Sequence, residues 1–447
     1  MKRDLDMYPR LTEPDTLDVM VVGRNGREHA LAWKLAQSAR IGELFVAPGI
    51  AGNEPGVTNV PIDGRDDRAL VEFAQEKEVD LVVVGSIAAL ERGLVDAMTE
   101  ANIPTFGPTK QAMRLESSKP YSKKLMERSG ILTPAFGLFT AEQAAAAHEY
   151  VERTPHRLYV KAGGLAGGEG AIACETPSEA HAAIDAILGD RRFGKAGDEI
   201  VIEEWIDGLS VAFSAFAEGE SYQAFPAQGE SYKPRYDGDK GPNTGGMGTY
   251  APADWYEPDK VAVAAEEIVK PALATMSQEG NPFRGIIMPE FIETSDGKRY
   301  VHEINARFGG PEIQVDVRYM KSDMLEMCVA ALTGTLGKTP LAWRPEYSIG
   351  VNTAHAGYPE KAENGKRITG IDTANAQEGV KVFFNSVDVV DGDVYTAGGR
   401  PLTITAVADS LSEARERVYA ALELIDYEGI DYRSDIGLRP KWTLGRE

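Results

Sequence analysis

The sequence predicts a multidomain fold of mixed class, an α/β unit followed by α+β units, and three observations carry that expectation. The first hundred or so residues alternate continuous apolar runs with helical periodicity. The middle of the chain sets strand-like runs between glycine-rich turns, and from about Leu341 onward the pattern turns β-rich. The chain has 447 residues, and because domains typically span about 100–200 residues, two to four of them are expected.

The opening MKRDLDMYPRLTEPDTLD mixes acids and prolines without an apolar core, so residues 1–17 read as a flexible tail and not a signal peptide. From Asp18 the run DVMVV reads as a buried strand, and GRNGREHA leads at once into the helical pattern ALAWKLAQ. Gly23 and Gly26 allow a tight turn, and amides at the helix N-terminus can hold an anion. As a dinucleotide fingerprint the turn fails, because Asn25 stands at the second glycine of GxGxxG. The next strand, GELFVAPG, also ends without the acid that would hold a ribose hydroxyl, which disfavours a nicotinamide oxidoreductase. Strands near 80–85 and 104–109, with helices around 69–77 and 90–101, complete a small parallel sheet.

In LESSKPYSKKLMERSGI, Ser117 or Ser118 can cap a helix whose first turn suits Pro120, and Lys119 at the boundary reads either as a solvated charge or as a phosphate contact. In RLYVKAGGLAGGEGAIA, a strand ending at Lys161 leads into five glycines between 163 and 170 and back into a strand. Such glycine density lets backbone amides approach phosphates, yet no GK[ST] follows, so this is not a Walker loop; it reads either as a flexible hairpin over a nucleotide, flanked by Lys161, or as a mere glycine turn. EIVIEEWIDG reads as a strand ending in acids and an aromatic. Residues 229–250 then read as a long loop, uncommon unless functional, that offers Lys233, Arg235, Lys240, Asn243 and Thr244 to anionic or polar groups. A helix over 259–279 follows.

The runs GIIMPEFIET and VHEINARFGGPEIQ, joined by SDGK, read as an antiparallel hairpin. Side chains two apart share a strand face, so Glu303 and Asn305 point one way and Glu290 can oppose them. Mg²⁺ takes oxygen ligands, usually one or two carboxylates with water and phosphates, so the trio suggests a nucleotide-phosphate site; a solvated hairpin with surface acids is the alternative. Beyond the apolar run MLEMCVAALTG come SIGVNTAH, VKVFFNS and GDVYTAGGRPLTITAVA, then a last helix, LSEARERVYAALELI, and YRSDIG.

Hydrophobic residues make up 43% and charged residues 26% of the chain, ordinary globular values. A net charge of −22 argues against a nucleic-acid backbone as partner, since that binding draws on cationic contacts, and favours small-molecule metabolism. Cys174 and Cys328 lie far apart and read as buried thiols. No apolar run reaches the roughly 18 residues of a membrane span, and the cytoplasm is the expected compartment.

Taken together, GRNGREHALAWKLAQS, VAPGIAG, FGPT, LESSK, GPNTGGMG, EINARFGGPE, AGGRPL and YRSDIG resemble the phosphoribosylamine–glycine ligases (glycinamide ribonucleotide synthetases), an ATP-grasp family of purine synthesis. The resemblance implies a parallel α/β pre-ATP-grasp domain over 18–117 and an ATP-grasp domain over 118–342 with a mobile lid at about 134–202. A small β-rich C-terminal domain would span 343–447. It implies ATP with Mg²⁺ or Mn²⁺, and a reaction in which glycine becomes glycyl phosphate and is attacked by phosphoribosylamine. Lys119, Lys161, Gly164, Gly167, Gly168, Gly170, Glu203, Glu204 and Trp205 would bind ATP, and Glu290, Glu303 and Asn305 the metal. Arg307 would act with Glu303 and Asn305 in catalysis. Gly23, Asn25, Gly26, Arg27, Glu28, Asn243, Thr244, Gly245, Gly246 and Met247, again with Arg307, would bind substrates. Small molecules are the implied partners, without nucleic acid or membrane, in a monomer or weak dimer.

The chain also departs from that family. Its glycine loop has Gly163 and Glu169 where the family's KADGLAAGKGV has aspartate and lysine, and Leu209 and Ser210 stand where an acidic pair follows EEW. Ile87 replaces the glutamate of GPEAPL, SYKPRYDG stands for SQDHKR, and Gly310 replaces the aspartate of GDPE. Glu290 adds a strand carboxylate common among ATP-grasp enzymes. A divergent ligase with another acid or amine, or a catalytically silent nucleotide-binding paralogue, are the alternatives that these positions raise.

Overall fold

The structure, a computed structural model, describes residues 8–438 except 13, 53, 155 and 230. Part of the expected tail, and residues 439–447 of the expected C-terminal domain, lie outside the described residues. Where the tail is described it packs on the body: Leu11 is fully buried and Arg10 donates to Asp80 Oδ1 at 3.1 Å.

The N-terminal unit runs β1 (Leu17–Gly23), α1 (Gly26–Leu35), β2 (Ile41–Pro48), β3 (Val57–Asn59), α2 (Asp67–Glu76), β4 (Leu81–Val84), α3 (Ile87–Arg92), α4 (Leu94–Glu100) and β5 (Thr105–Phe106). Its five strands are all parallel, in the order β3-β2-β1-β4-β5. The apolar run of β1 is continuous because both faces are covered: Met20 and Val22 enter one core cluster, Val19 and Val21 another. The single helix expected over 90–101 is two. Gly93, at φ +99°, ends α3 in the left-handed conformation and starts α4 on a new axis.

Next come α5 (Lys110–Ser117) and α6 (Lys119–Ser129), then the unit expected as the lid. Its strands β6 (Phe136–Thr140), β7 (Leu158–Ala162), β8 (Ala171–Cys174) and β9 (Glu199–Glu204) form a sheet ordered β6-β9-β7-β8, packed on α7 (Ala144–Glu152) and α8 (Pro177–Ile184). This piece has a core of its own, built on Val151, Val160, Ile184, Ile187, Ile200 and Ile202.

The body sheet holds β10 (Leu209–Ala212), β11 (Ala215–Glu218) and β12 (Ser221–Ala224). The region expected as one long loop instead folds into a hairpin of β13 (Pro234–Tyr236) and β14 (Lys240–Asn243), then β15 (Gly248–Ala251), short strands that a glycine- and proline-rich composition disguises. The helix expected over 259–279 is α9 (Pro258–Ala264) and α10 (Lys270–Gln278), joined through a π-turn at Ala265–Val269. Pro271 lies just beyond that turn, where its ring crowds the preceding carbonyls. The hairpin of β16 (Arg284–Glu293) and β17 (Arg299–Asn305) forms as expected, and β16 also pairs with β10 and β11.

After α11 (Glu312–Tyr319) and α12 (Met324–Leu332) the chain enters its β-rich part: β18 (Tyr347–Asn352), β19 (Ala354–His355), β20 (Arg367–Ile368), α13 (Ile371–Asn375), β21 (Val380–Phe384), β22 (Val387–Val390), β23 (Asp393–Thr396), β24 (Leu402–Ala408), α14 (Leu411–Leu422) and β25 (Ile430–Asp431). Its main sheet is β15-β18-β24-β21, so a strand from the middle of the chain is built into the C-terminal sheet. One core cluster accordingly runs through the N-terminal sheet (Met20), the body (Val211, Ile287) and the C-terminal sheet (Ile349, Ile404).

Candidate active site

Register sets the carboxylates opposite one another: on β16 and β17, Glu290 pairs with Glu303 and Met288 with Asn305. The register then slips, Phe291 pairing with Val301, and His302 is left as the extra residue of a β-bulge. Strict alternation turns His302 away from Glu290. The bulge turns it back, with Nε2 3.6 Å from Glu290 Oε2, and this is why the sequence pattern missed it.

The orientation of Asn305 follows from its neighbours. Arg307 Nη2 lies 3.0 Å from Asn305 Oδ1, and a guanidinium can only donate, so the amide nitrogen faces Glu290 and donates to its Oε1 at 3.0 Å. Arg307 is fixed from behind by Glu116, whose Oε1 accepts from Arg307 Nε at 3.0 Å and whose Oε2 accepts from Ala306 N at 2.8 Å. Lys233 meets the other oxygen of Glu290, and Lys119 Nζ stands 3.5 Å from Glu303 Oε1. Burial raises the Glu303 carboxyl, but the ammonium of Lys119, with Lys233 and Lys161, outweighs it and holds the group down to about 2. Glu290 is likewise buried, and Lys233 and His302 hold it well below the ordinary carboxylate value.

Among the described residues no three histidine, cysteine or carboxylate side chains are gathered as a metal cage. Two ionised carboxylates facing each other beside a side-chain amide are nevertheless a donor set that suits Mg²⁺ or Mn²⁺ arriving with phosphate ligands.

The lid supplies the facing wall. Ser118 caps α6, accepting from Tyr121 N at 3.3 Å, and Lys119 N donates to Gly163 O at 2.7 Å, which ties the helix start to the glycine hairpin. Of the glycines expected at ATP, Gly167 and Gly168 form the exposed tip, at φ +63° and +89°. Gly164 and Gly170 are also closely packed: a Cβ would come within 2.8 Å of Ala196 Cα at the first and 2.7 Å of Ala166 Cβ at the second. Beyond the tip lies Gly245, whose Cα and N would be 3.5 Å from a Cβ on Gly168. Glu169, the reversed charge of the loop, is exposed to solvent.

Lys161 on β7 meets Glu203 on β9. The Glu203 side chain is 1% exposed, with one oxygen on Lys161 and the other 2.6 Å from Lys123 Nζ, so in this structure both oxygens are taken up by lysines. Burial raises that carboxyl and the two ammonium groups bring it down to about 2. Beside it the Trp205 ring stacks on Tyr159 at 4.7 Å and carries the Arg157 guanidinium at 4.6 Å, while Glu204 N donates to Ala135 O at 2.9 Å.

Next to Arg307, which shares Phe308 O with Arg27, a cavity of about 240 Å³ opens between Asn25 and Gly26 at the start of α1, Arg27, Gly310, Asn385 and Arg400. Arg27 Nε donates to Phe308 O at 2.7 Å. Gly23 and Glu28, expected to touch substrate, pack against each other. Glu28 Oε2 accepts from Asn25 N at 2.7 Å, and a Cβ on Gly23 would lie 2.2 Å from Glu28 Cγ. Arg400 Nη1 donates to Gly246 O at 2.5 Å, and its Nη2 would be 2.6 Å from a Cβ on Gly245. Thr244 and Met247 are buried supports of that loop, Thr244 Oγ1 donating to Lys233 O at 2.7 Å, while Asn243 ends β14. Arg235 is also buried, with Nε donating to Tyr358 O at 3.0 Å and Nη2 to Asp431 Oδ2 at 2.8 Å, so it anchors the C-terminal part. The sequence pattern missed Arg400 and Asn385, although the run AGGRPL marked the first.

Three family models cover the chain: the phosphoribosylglycinamide synthetase N domain matches residues 17–116, its ATP-grasp (A) domain 117–313 and its C domain 348–439. The chain is 41% identical to phosphoribosylamine–glycine ligase of Vibrio parahaemolyticus over 94% of this chain and 98% of that one, and 42% identical to the same enzyme of Rhodopirellula baltica over 94% and 97%. A crystal structure of phosphoribosylamine–glycine ligase from Thermotoga maritima superposes with a TM-score of 0.80 at 30% identity, over 94% of this chain and 100% of that one. Biotin carboxylase from Campylobacter jejuni shares the fold alone, with a TM-score of 0.70 at 15% identity over 97% of both chains.

Proposed function

The chain belongs to the phosphoribosylglycinamide synthetase family, and from that membership we infer that it joins glycine to 5-phosphoribosylamine with ATP, giving glycinamide ribonucleotide, ADP and phosphate in purine biosynthesis. The single observation that carries the residue assignments is the Glu290–Glu303 pair, set opposite each other by register, with Lys119 on Glu303 and Lys233 on Glu290.

Lys119 and Lys161 hold the ATP phosphates, and Trp205 lies toward the nucleoside end. The glycine carboxylate lies against Arg307, whose guanidinium, braced by Glu116, also faces the equatorial phosphoryl oxygens. A divalent ion, Mg²⁺ or Mn²⁺, would be held by Glu303 with Asn305 and Glu290, and would supply charge neutralisation at the transferring phosphoryl group. A carboxylate oxygen of glycine attacks the γ-phosphorus and ADP leaves. The amine nitrogen of phosphoribosylamine then attacks the acyl carbon of glycyl phosphate, inorganic phosphate departs with the C–O electron pair, and the amine loses a proton. Gly167 and Gly168 at the lid tip keep out the water that would hydrolyse the acyl phosphate. Arg400 and the N-terminus of α1 receive the 5′-phosphate of the amine substrate.

The decisive measurement is ADP release from a substrate panel, expected only when glycine and phosphoribosylamine are both present. Gly310 gives that panel its point: it lines the cavity, and a Cβ there would come into ordinary contact with Gln314 at 3.7 Å and with Arg27 at 3.8 Å, so its lack of a side chain leaves those two groups free to face a substrate. Release with another acid or amine reassigns the partner, and nucleotide binding without release from any pair would make the chain a silent binder. No helix among the described residues is long and apolar enough to cross a membrane, and the reading is of a cytoplasmic enzyme, a monomer or weak dimer.

A further inference from the structure

Lys123 follows Lys119 by four residues on α6, so both ammonium groups leave the same helix face. Lys119 goes to Glu303. Lys123 is 2% exposed and turns inward, its Nζ 2.6 Å from Glu203 Oε2 and 2.6 Å from Thr133 Oγ1. Thr133 Oγ1 in turn donates to Val301 O at 2.7 Å, on the strand that carries Glu303 and Asn305. The other oxygen of Glu203 is on Lys161. One unbroken row of polar contacts therefore runs from the carboxylate strand β17 through Thr133, Lys123 and Glu203 to Lys161, crossing from the body into the lid.

Two features of that row point to a ligand. Two ammonium groups share one buried carboxylate, and the next carboxylate within reach, Glu303, is already faced by Lys119, so the cluster holds an ammonium group in excess. Such a charge is costly unless an anion arrives to pair with it. The row is also the polar tie between the lid strands β7 and β9 and the helix α6, so the position of Lys161 follows how the lid sits on the body.

We propose that Lys123 is a positioning residue for ATP: acting through Glu203, it sets where Lys161 presents its ammonium to the nucleotide phosphates. This rests on the ligase reading, in which Lys161 meets ATP. The Phe136 ring, 5.7 Å from Lys123 Nζ, closes the lid side of the group, and Glu303 is the further carboxylate that it feels.

The test uses the full-length protein with ATP and glycine varied separately. Lys123→Met is expected to raise KM for ATP about tenfold or more and to leave KM for glycine within about twofold. Glu203→Gln should raise KM for ATP as well, and the double variant should be no worse than Glu203→Gln alone, because Lys123 acts only through that carboxylate. An unchanged KM for ATP in Lys123→Met, or a double variant that shows the two effects summed, overturns the proposal. Should Lys123→Met fail to fold, K123M/E203M removes both buried charges while keeping apolar volume. It is expected to match the KM for ATP of Glu203→Gln, and a wild-type value overturns the proposal. Lys161→Ala separates the two readings. If its KM for ATP is unchanged, Lys161 does not meet the nucleotide and both claims fall; if it rises while that of Lys123→Met does not, only the positioning role falls.

Discussion

Glu303 and Asn305, two residues apart on β17, show which side chains a pattern can find. Alternation puts them on one face, and the turn SDGK brings Glu290 opposite, so the carboxylate pair was legible in the sequence. His302 was not, because a bulge breaks the alternation on which the reading relies, and Lys123 was not, because its partner Glu203 lies eighty residues on in another sheet. Glu303→Gln is expected to lower kcat by about two to three orders of magnitude in the ADP-release assay, and undiminished turnover would remove the metal assignment. The same carboxyls set the acid limb of stability. Glu203 and Glu303 fall from an ordinary 4.5 to about 2 in the folded chain, so their contribution is complete above 4.5 and is lost as pH drops towards 2. Urea midpoints measured at pH 6, 4 and 3 should decline across that window, and less steeply in Glu203→Gln than in wild type. Burial pushes the Cys174 thiol up to about 11 and the Cys328 thiol higher still. Neither should react with a disulfide reagent at pH 8 until the chain is denatured.

At the scale of elements, glycines mark the places where local signals stop. Gly23 and Gly26 both read as turn glycines at the head of α1, and each has a more particular task. The first clears space for Glu28, while a Cβ on the second would lie 1.7 Å from Asn385 Oδ1. Asn385 follows β21, far down the chain, so nothing near Gly26 announces it. Gly26→Ala should therefore raise KM for phosphoribosylamine while nucleotide binding, followed by equilibrium dialysis with a non-hydrolysable ATP analogue, stays close to wild type. A parallel loss of both would place α1 in the ATP site instead. Gly93 could be found only by asking what happens inside a helical pattern, and its left-handed φ divides α3 from α4. The strands β13 to β15 were hidden because GPNTGGMG carries turn composition even where it pairs.

Over the whole molecule, the α/β opening was legible because strands covered on both faces read as continuous apolar runs. The exchange of β15 into the C-terminal sheet was not, since pairing over a hundred residues leaves no periodic trace. The lid keeps a separate core, whereas the remaining parts share one. Hydrogen exchange should accordingly find β6 to β9 opening more readily than β1 or β18, and slowing when an ATP analogue with Mg²⁺ is added. Equal protection in lid and body before nucleotide is added would contradict a separately hinged lid. The cavity beside Arg307 joins Asn25 to Arg400, and this has a consequence for synthesis on the ribosome. Asn25 emerges first and Arg400 late, with Lys119, Lys161, Glu290, Glu303 and Arg307 between them, so the cavity is completed only after the residues proposed to activate an acid. A growing chain cannot pass an activated acyl group to its proper acceptor, and only a finished one has both ends of the reaction.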